Sequence, residues 1–190
     1  MTSDRVPVWA EAIQLLPILS LAFPFIVQGS VDLARAGSGF ALGALLTIPV
    51  SVAVRWRGHP LNPILIGTGL WLWLGAAAFL VPVEAVAAWL ARTQAFGLFV
   101  AALGAGLLTT FASRWGYVAC PSSDSTWTRR ASYGLLGATV LAVACAWLLR
   151  NDIRLGGGLP FITLNVLRRV LVARAPHANR VPAGGSSGTR

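Results

Sequence analysis

The chain is expected to be an all-α integral membrane protein, a polytopic bundle of six transmembrane helices. Three observations carry that expectation. Of 190 residues, 56% are hydrophobic and 11% charged, against about 45–50% apolar and about 25% charged in soluble domains. A soluble domain of this length has no core large enough to hide so much apolar surface, whereas lipid accepts it. The charges are also not scattered; they divide the chain into uncharged runs of bilayer length.

A helix needs about 20 apolar residues to cross a hydrocarbon core about 30 Å thick. The first run, 12–31, lies between Glu11 and Asp32, and the second, 36–54, between Arg35 and Arg55. The third, 61–83, ends before Glu84; the fourth, 93–113, lies between Arg92 and Arg114; the fifth, 131–149, between Arg130 and Arg150. They hold 20, 19, 23, 21 and 19 residues. Each fits. Pro17 and Pro24 predict that the first is kinked or broken, which membrane helices tolerate when neighbours satisfy the freed carbonyls. A cleaved signal peptide competes there, because Ala34-Arg35-Ala36 has the small-x-small form. The nearly neutral leader (Asp4, Arg5, Glu11) and the immediate entry of Gly37 into the next run favour a retained span.

The sixth element, 155–172, is shorter in its uncharged part, Leu155 to Leu167, and opens with Gly156-Gly157-Gly158 and Pro160. On a helix, Asn165, Arg168 and Arg169 share one side, and Ile162, Val166, Leu167 and Val170 the other. That pattern predicts either an interfacial amphipathic helix or a short crossing whose arginines reach the headgroups. Loop charge separates the two. All fifteen basic residues are Arg. With six crossings, eleven of them fall on the side of the N-terminus and four opposite; with five, the balance is six against nine. The positive-inside rule therefore predicts six crossings, with both termini cytoplasmic in a bacterial-type inner membrane. Residues 1–173 form one transmembrane domain in this reading, and 174–190, rich in Pro, Gly and Ser, a flexible basic tail.

Small residues recur at a spacing of four in three spans: Gly39, Gly43, Thr47 and Ser51; Gly97, Ala101, Ala105, Thr109 and Ser113; and Gly134, Ala138, Ala142 and Ala146. Such stripes let backbones approach closely, so these three spans are expected to pack on one another. The formal charge of +9 raises nucleic acid as a partner, but the arginines flank apolar runs. Membrane lipids, including anionic headgroups, are the expected partner, with a membrane protein or a second copy beside them and no nucleic acid.

Candidate contacts for a ligand or partner are Trp71, Trp73, Arg55, Arg57, His59 and Glu84. Trp71 and Trp73 sit mid-span, away from the interfacial belt of Trp9, Trp56, Trp89, Trp115 and Trp147, and serve either an indole-lined cavity or helix and lipid anchoring. Glu84 follows Pro82 at a span end and opens an amphipathic stretch to Leu90. Arg55, Arg57 and His59 form the densest polar cluster. Arg57-Gly58-His59-Pro60 resembles the Arg-His-Pro motif of membrane methyltransferases such as the isoprenylcysteine family, but Gly58 separates its Arg from its His and no acidic cofactor-binding pair follows. Gly37-Ser38-Gly39 resembles the serine motif of rhomboid proteases, which needs a histidine on a later span, and His59 and His177 lie outside the spans. Five helices and eight tryptophans resemble the tryptophan-rich sensory proteins, without their Lys-Pro and Pro-Pro elements.

Cys120, at the start of a polar loop, and Cys145, inside an apolar run, form no CxxC. The first five spans carry no Asp, Glu, Lys, Arg or His inside, where proton-coupled carriers need one. No cofactor, metal or catalytic residue is assigned. The expected function is a non-enzymatic accessory, assembly or scaffold component of a membrane complex. The alternative is a small transporter or channel for an uncharged or apolar solute, not coupled to protons.

Overall fold

The computed structural model describes residues 12–20, 33–80, 84–93, 95–113, 115–120, 124–150, 152 and 154–176. These residues are helical or form short connections, with no strand among them. The helices are α1, Leu33–Trp56; α2, Pro63–Leu80; α3, Glu84–Thr93; α4, Ala95–Ala112; α5, Ser125–Leu148; and α6, Leu159–Ala173, which follows a π-helical turn, Arg154–Gly158. Five helical stretches are long and apolar enough to cross a membrane: Gly37–Trp56, Pro63–Leu80, Ala95–Ala112, Ser125–Leu148 and Arg154–Ala173. They answer to the second through sixth expected spans. Residues 21–31 of the first span, and most of the 174–190 tail, lie outside the described residues.

Local chemistry explains the boundaries. Gly58, at φ +75°, lets the chain leave α1 in the left-handed region open to glycine. Gly58 N–H donates to the Arg55 carbonyl and His59 N–H to that of Val54, the two bonds of a Schellman cap. Asn62 then opens α2, its side-chain oxygen accepting from Ile64 N–H at 3.1 Å, with Pro63 at the first helical position. Asp124 caps α5, accepting from Thr126 and Trp127 N–H at 2.8 and 3.1 Å. That cap starts α5 six residues before the charge-free run at 131, so Arg129 and Arg130 lie exposed on a helix rather than in a loop.

The main helices run alternately up and down. Gly75, Leu72 and Gly69 of α2 meet Phe40, Gly43 and Thr47 of α1 in reverse order, and Gly67 and Trp71 meet Ala102 and Gly97 of α4. α2 therefore lies between α1 and α4; α4 packs on α5, and α5 on α6. This corrects the expected three-way contact among the small-residue stripes. The stripes on α1 and α4 face α2 instead of each other, and Gly134 on α5 has open space around it. The closest approach of one backbone to another is Gly67 against Ala102. One core joins Ile64 and Trp71 of α2, Phe99 and Ala102 of α4, Leu135 of α5 and Leu164 of α6.

Outward faces are apolar on every long helix: Leu45, Leu70, Leu108, Phe111, Leu141 and Ile162 are all exposed. α6 follows the same rule in reverse of a soluble helix. Arg168 is buried and Asn165 half-buried, while Ile162, Val166 and Val170 face outward. α6 thus turns Arg168 to the bundle, while Arg169 and Arg174 are exposed.

Candidate functional site

The connections α1–α2 and α4–α5 and the C-terminal end of α6 meet at one end of the bundle. Arg55, Arg57, Arg129, Arg130, Arg168, Arg169 and Arg174 lie there, with Asp124 as the described acid; the other end has Arg92, Arg150, Arg154, Glu84 and Asp152. This arginine-rich end holds two cavities. The larger, about 160 Å³, is a notch lined by Arg55, Pro60, Ile66, Thr109, Ser113 and Trp115 among others. The smaller, about 20 Å³, lies beside it against Gln14, Thr47 and Asn62.

Two buried polar assemblies frame the notch. In one, Asn62 N–H donates to Gln14 Oε1 at 2.8 Å, and Asn62 Nδ2 to Asn165 Oδ1 at 3.3 Å. Asn62 thereby ties the N-terminal helical segment, α2 and α6 together. In the other, residues 116–120 fold inward and are buried. Tyr117 N–H donates to Ser132 Oγ at 3.0 Å, and its hydroxyl reaches the Ala102 carbonyl at 3.3 Å and Thr139 Oγ1 at 3.1 Å. The ring lies on Gly106, where a Cβ would come within 2.7 Å of it. The buried Arg168 donates through Nε to the Val118 carbonyl at 3.2 Å.

The tight inward turn needs left-handed backbone at Gly116, φ +60°, and at Ala119, φ +53°. Ala119 carries a Cβ there, a conformation costing about 1–2 kcal/mol. Burial pushes the Tyr117 hydroxyl up to about 12, against the smaller opposing effects of the Thr139 hydrogen bond and the Arg168 charge. Burial likewise raises Cys120, opposed by Arg168. Cys120 was expected at the start of a polar loop; it is buried at the end of an apolar one, because Tyr117, Val118 and Cys120 supply side chains to the core.

Of the candidate residues, Arg55 lines the notch, and Arg57 and His59 sit on the adjoining turn, exposed and half-buried. Trp71 is buried, its indole seated on Gly97 and edge-on to Trp89 at 5.5 Å. Trp73 faces outward, 43% exposed. Glu84 opens α3 at the opposite end from His59, as does Asp152, whose carboxylate accepts from Arg154 and Leu155 N–H. Among the described residues no group of three His, Cys, Asp or Glu could hold a metal.

Sequence reasoning missed Tyr117, Ser132 and Thr139 as a hydrogen-bonded unit; the run Trp-Gly-Tyr-Val-Ala-Cys, apolar between Arg114 and Pro121, was the available signal. Thr109 and Ser113 were expected in a packing stripe and instead line the notch. No protein-family signature, curated protein or solved structure matches the chain.

Proposed function

We propose that the chain is a multi-pass inner-membrane protein acting as a non-enzymatic structural component of a membrane complex, with both termini cytoplasmic. The observation that carries this reading is the packing of α2 between α1 and α4. Gly67 against the Ala102 backbone and Gly97 under Trp71 leave no room there for a solute. Interior hydroxyls are committed as well: Thr68 donates to the Ile64 carbonyl and Thr139 to that of Leu135. The two cavities described lie at one end and are small. Transport of an uncharged solute would need a polar-lined path between the ends. A closely packed bundle with broad apolar flanks suits lateral assembly instead.

Two measurements together test this. Blue-native electrophoresis of mildly solubilised membranes is expected to place the chain in an assembly larger than its monomer. Proteoliposomes of the purified chain are expected to pass small uncharged solutes no faster than empty vesicles. A monomer that accelerates flux would replace the structural reading with the transporter. Reporter fusions at Met1 and Arg190 are expected to be cytoplasmic; a periplasmic C-terminus would remove the six-span topology.

A further inference from the structure

The notch at the arginine-rich end has a volume that constrains its occupant. At about 160 Å³ it falls below the ~300–1,000 Å³ of pockets enclosing a whole small molecule. It matches the space of about five waters at about 30 Å³ each, enough for a phosphate and a few attached atoms. A larger occupant must therefore continue outside the notch. The fold offers the continuation. Ile66 lines the notch, and four and seven residues further along α2, Leu70 and Trp73 are exposed. Positions i, i+4 and i+7 share a helix face. α2 turns its other sides to α1 through Gly69 and to α4 through Gly67, so this apolar ridge lies open between α1 and α4.

The notch's polar groups select charge. The Arg55 guanidinium has no ion-pair or hydrogen-bonding partner among the described residues. Ser113 Oγ accepts from Trp115 N–H at 3.2 Å, which leaves its own hydroxyl hydrogen to donate. Thr109 is spent on the Ala105 and Gly106 carbonyls. An arginine and a hydroxyl, both donors, above an apolar ridge complement a phosphate carrying a hydrocarbon chain.

We infer that the notch and ridge form a binding site for an anionic phospholipid. Its phosphate sits on Arg55 and Ser113, and one acyl chain lies over Ile66, Leu70 and Trp73. The inference rests on the membrane-spanning part of the reading above and is independent of the assembly role. Free inorganic phosphate shares the headgroup's chemistry but has nothing for the ridge.

Native mass spectrometry of the full chain in detergent, titrated with phosphatidylglycerol, phosphatidylcholine or inorganic phosphate, separates these. Phosphatidylglycerol is expected to bind about tenfold more tightly than phosphatidylcholine, whose phosphate makes the same contacts but whose quaternary ammonium cancels the net charge that Arg55 attracts, and inorganic phosphate not to displace it. Arg55→Gln, an exposed position whose change leaves circular dichroism unaltered, is expected to abolish that preference. Arg130→Gln, equally exposed at the same end and away from the notch, is expected to keep it. Phosphatidylglycerol brominated on one chain is expected to quench less fluorescence in Trp73→Phe than in the parent. Equal binding of the two lipids, equal loss in both arginine variants, or displacement by inorganic phosphate would each overturn the site. A chain that fails to enter bilayers at all overturns the membrane reading first, and the site with it.

Discussion

The α2–α4 seam and the inward loop 115–120 are both buried, yet they are held by opposite means. The seam is an approach of backbones, with Gly67 on Ala102 and the Trp71 indole on Gly97. In lipid such a contact is stabilised by dispersion and shape alone, since hydrocarbon competes equally for apolar side chains. The loop is non-helical backbone among helices, so its polar groups must find partners inside the protein. Tyr117 N–H goes to Ser132, its hydroxyl to Ala102 and Thr139, and the Val118 carbonyl to Arg168. The difference predicts how each fails. A seam built on shape is sensitive to one added carbon, and a seam built on hydrogen bonds to one lost donor.

The largest effect is expected at the seam. Gly67→Ala places a Cβ against Ala102 backbone atoms, which no side-chain rotation can relieve. A loss of about 3 kcal/mol or more is expected, the upper range of overpacking, read as a lowered thermal midpoint in detergent. Gly97→Ala meets only the Trp71 indole and is expected to cost less. The reverse ranking would mean that α2 and α4 separate easily and the seam is not the organising contact.

In the loop, Arg168→Met leaves the Val118 carbonyl without the Nε donor. An orphaned buried acceptor costs about 1–3 kcal/mol, offset in part because the buried charge is also removed. Limited proteolysis within 115–120 is expected to accelerate along with the loss of stability. An unchanged cleavage rate would show that Arg168 does not hold the loop in place.

Tyr117→Phe is expected to cost about 1 kcal/mol, the net worth of its hydroxyl contacts. It also has a pH signature. The Tyr117 pKa is raised by burial to about 12 from 10.0, so the unfolded chain releases its proton first as pH rises. The stability attached to the neutral hydroxyl is complete below pH 10 and is lost as pH climbs through about 12. Tyr117→Phe is expected to flatten that alkaline decline and leave the neutral range parallel to the parent. An equally steep decline would assign it to the arginine-rich end as a whole.

How much of this was legible in the sequence divides along the same line. The long apolar helices could be read because a charge ends an apolar run, and Arg55, Glu84, Arg92 and Arg150 mark their boundaries to within a few residues. Helix facing could not be read from stripes alone. α1, α2 and α4 are apolar all round, so spacing of small residues marks several equivalent faces, and only packing selects Gly67 over Gly134. The loop was hidden for another reason. Arg114 and the Pro121-Ser-Ser-Asp124 run look like solvated connection, and nothing local tells that Tyr117 has Gly106 to lie on. The site was half visible: Arg55 through its charge, but the notch through no motif, because it is made where separate helices end together.

The smallest effect belongs to the glycines of α5, and it tests whether small-residue stripes mean packing at all. Gly134 and Gly137 have open space where a Cβ would be built, and both are exposed. Adding a methyl there meets no neighbour and lowers the conformational freedom that glycine loses on folding. The helix-propensity difference between Gly and Ala is about 1 kcal/mol in water, and in lipid, where unfolded segments remain helical, less of it is available. Gly134→Ala is therefore expected to change stability by no more than about 0.5 kcal/mol, in the stabilising direction. The bulkier Gly134→Leu, on the outward face, is expected to be tolerated in the isolated chain while Gly67→Ala is not. In native membranes the same variant carries further information. If Gly134→Leu leaves the purified chain intact but removes it from the proposed assembly, the open face of α5 is where a partner packs. If it changes neither, the Gly134 end of the stripe is composition, and the proposed assembly would have to use α1 or α6.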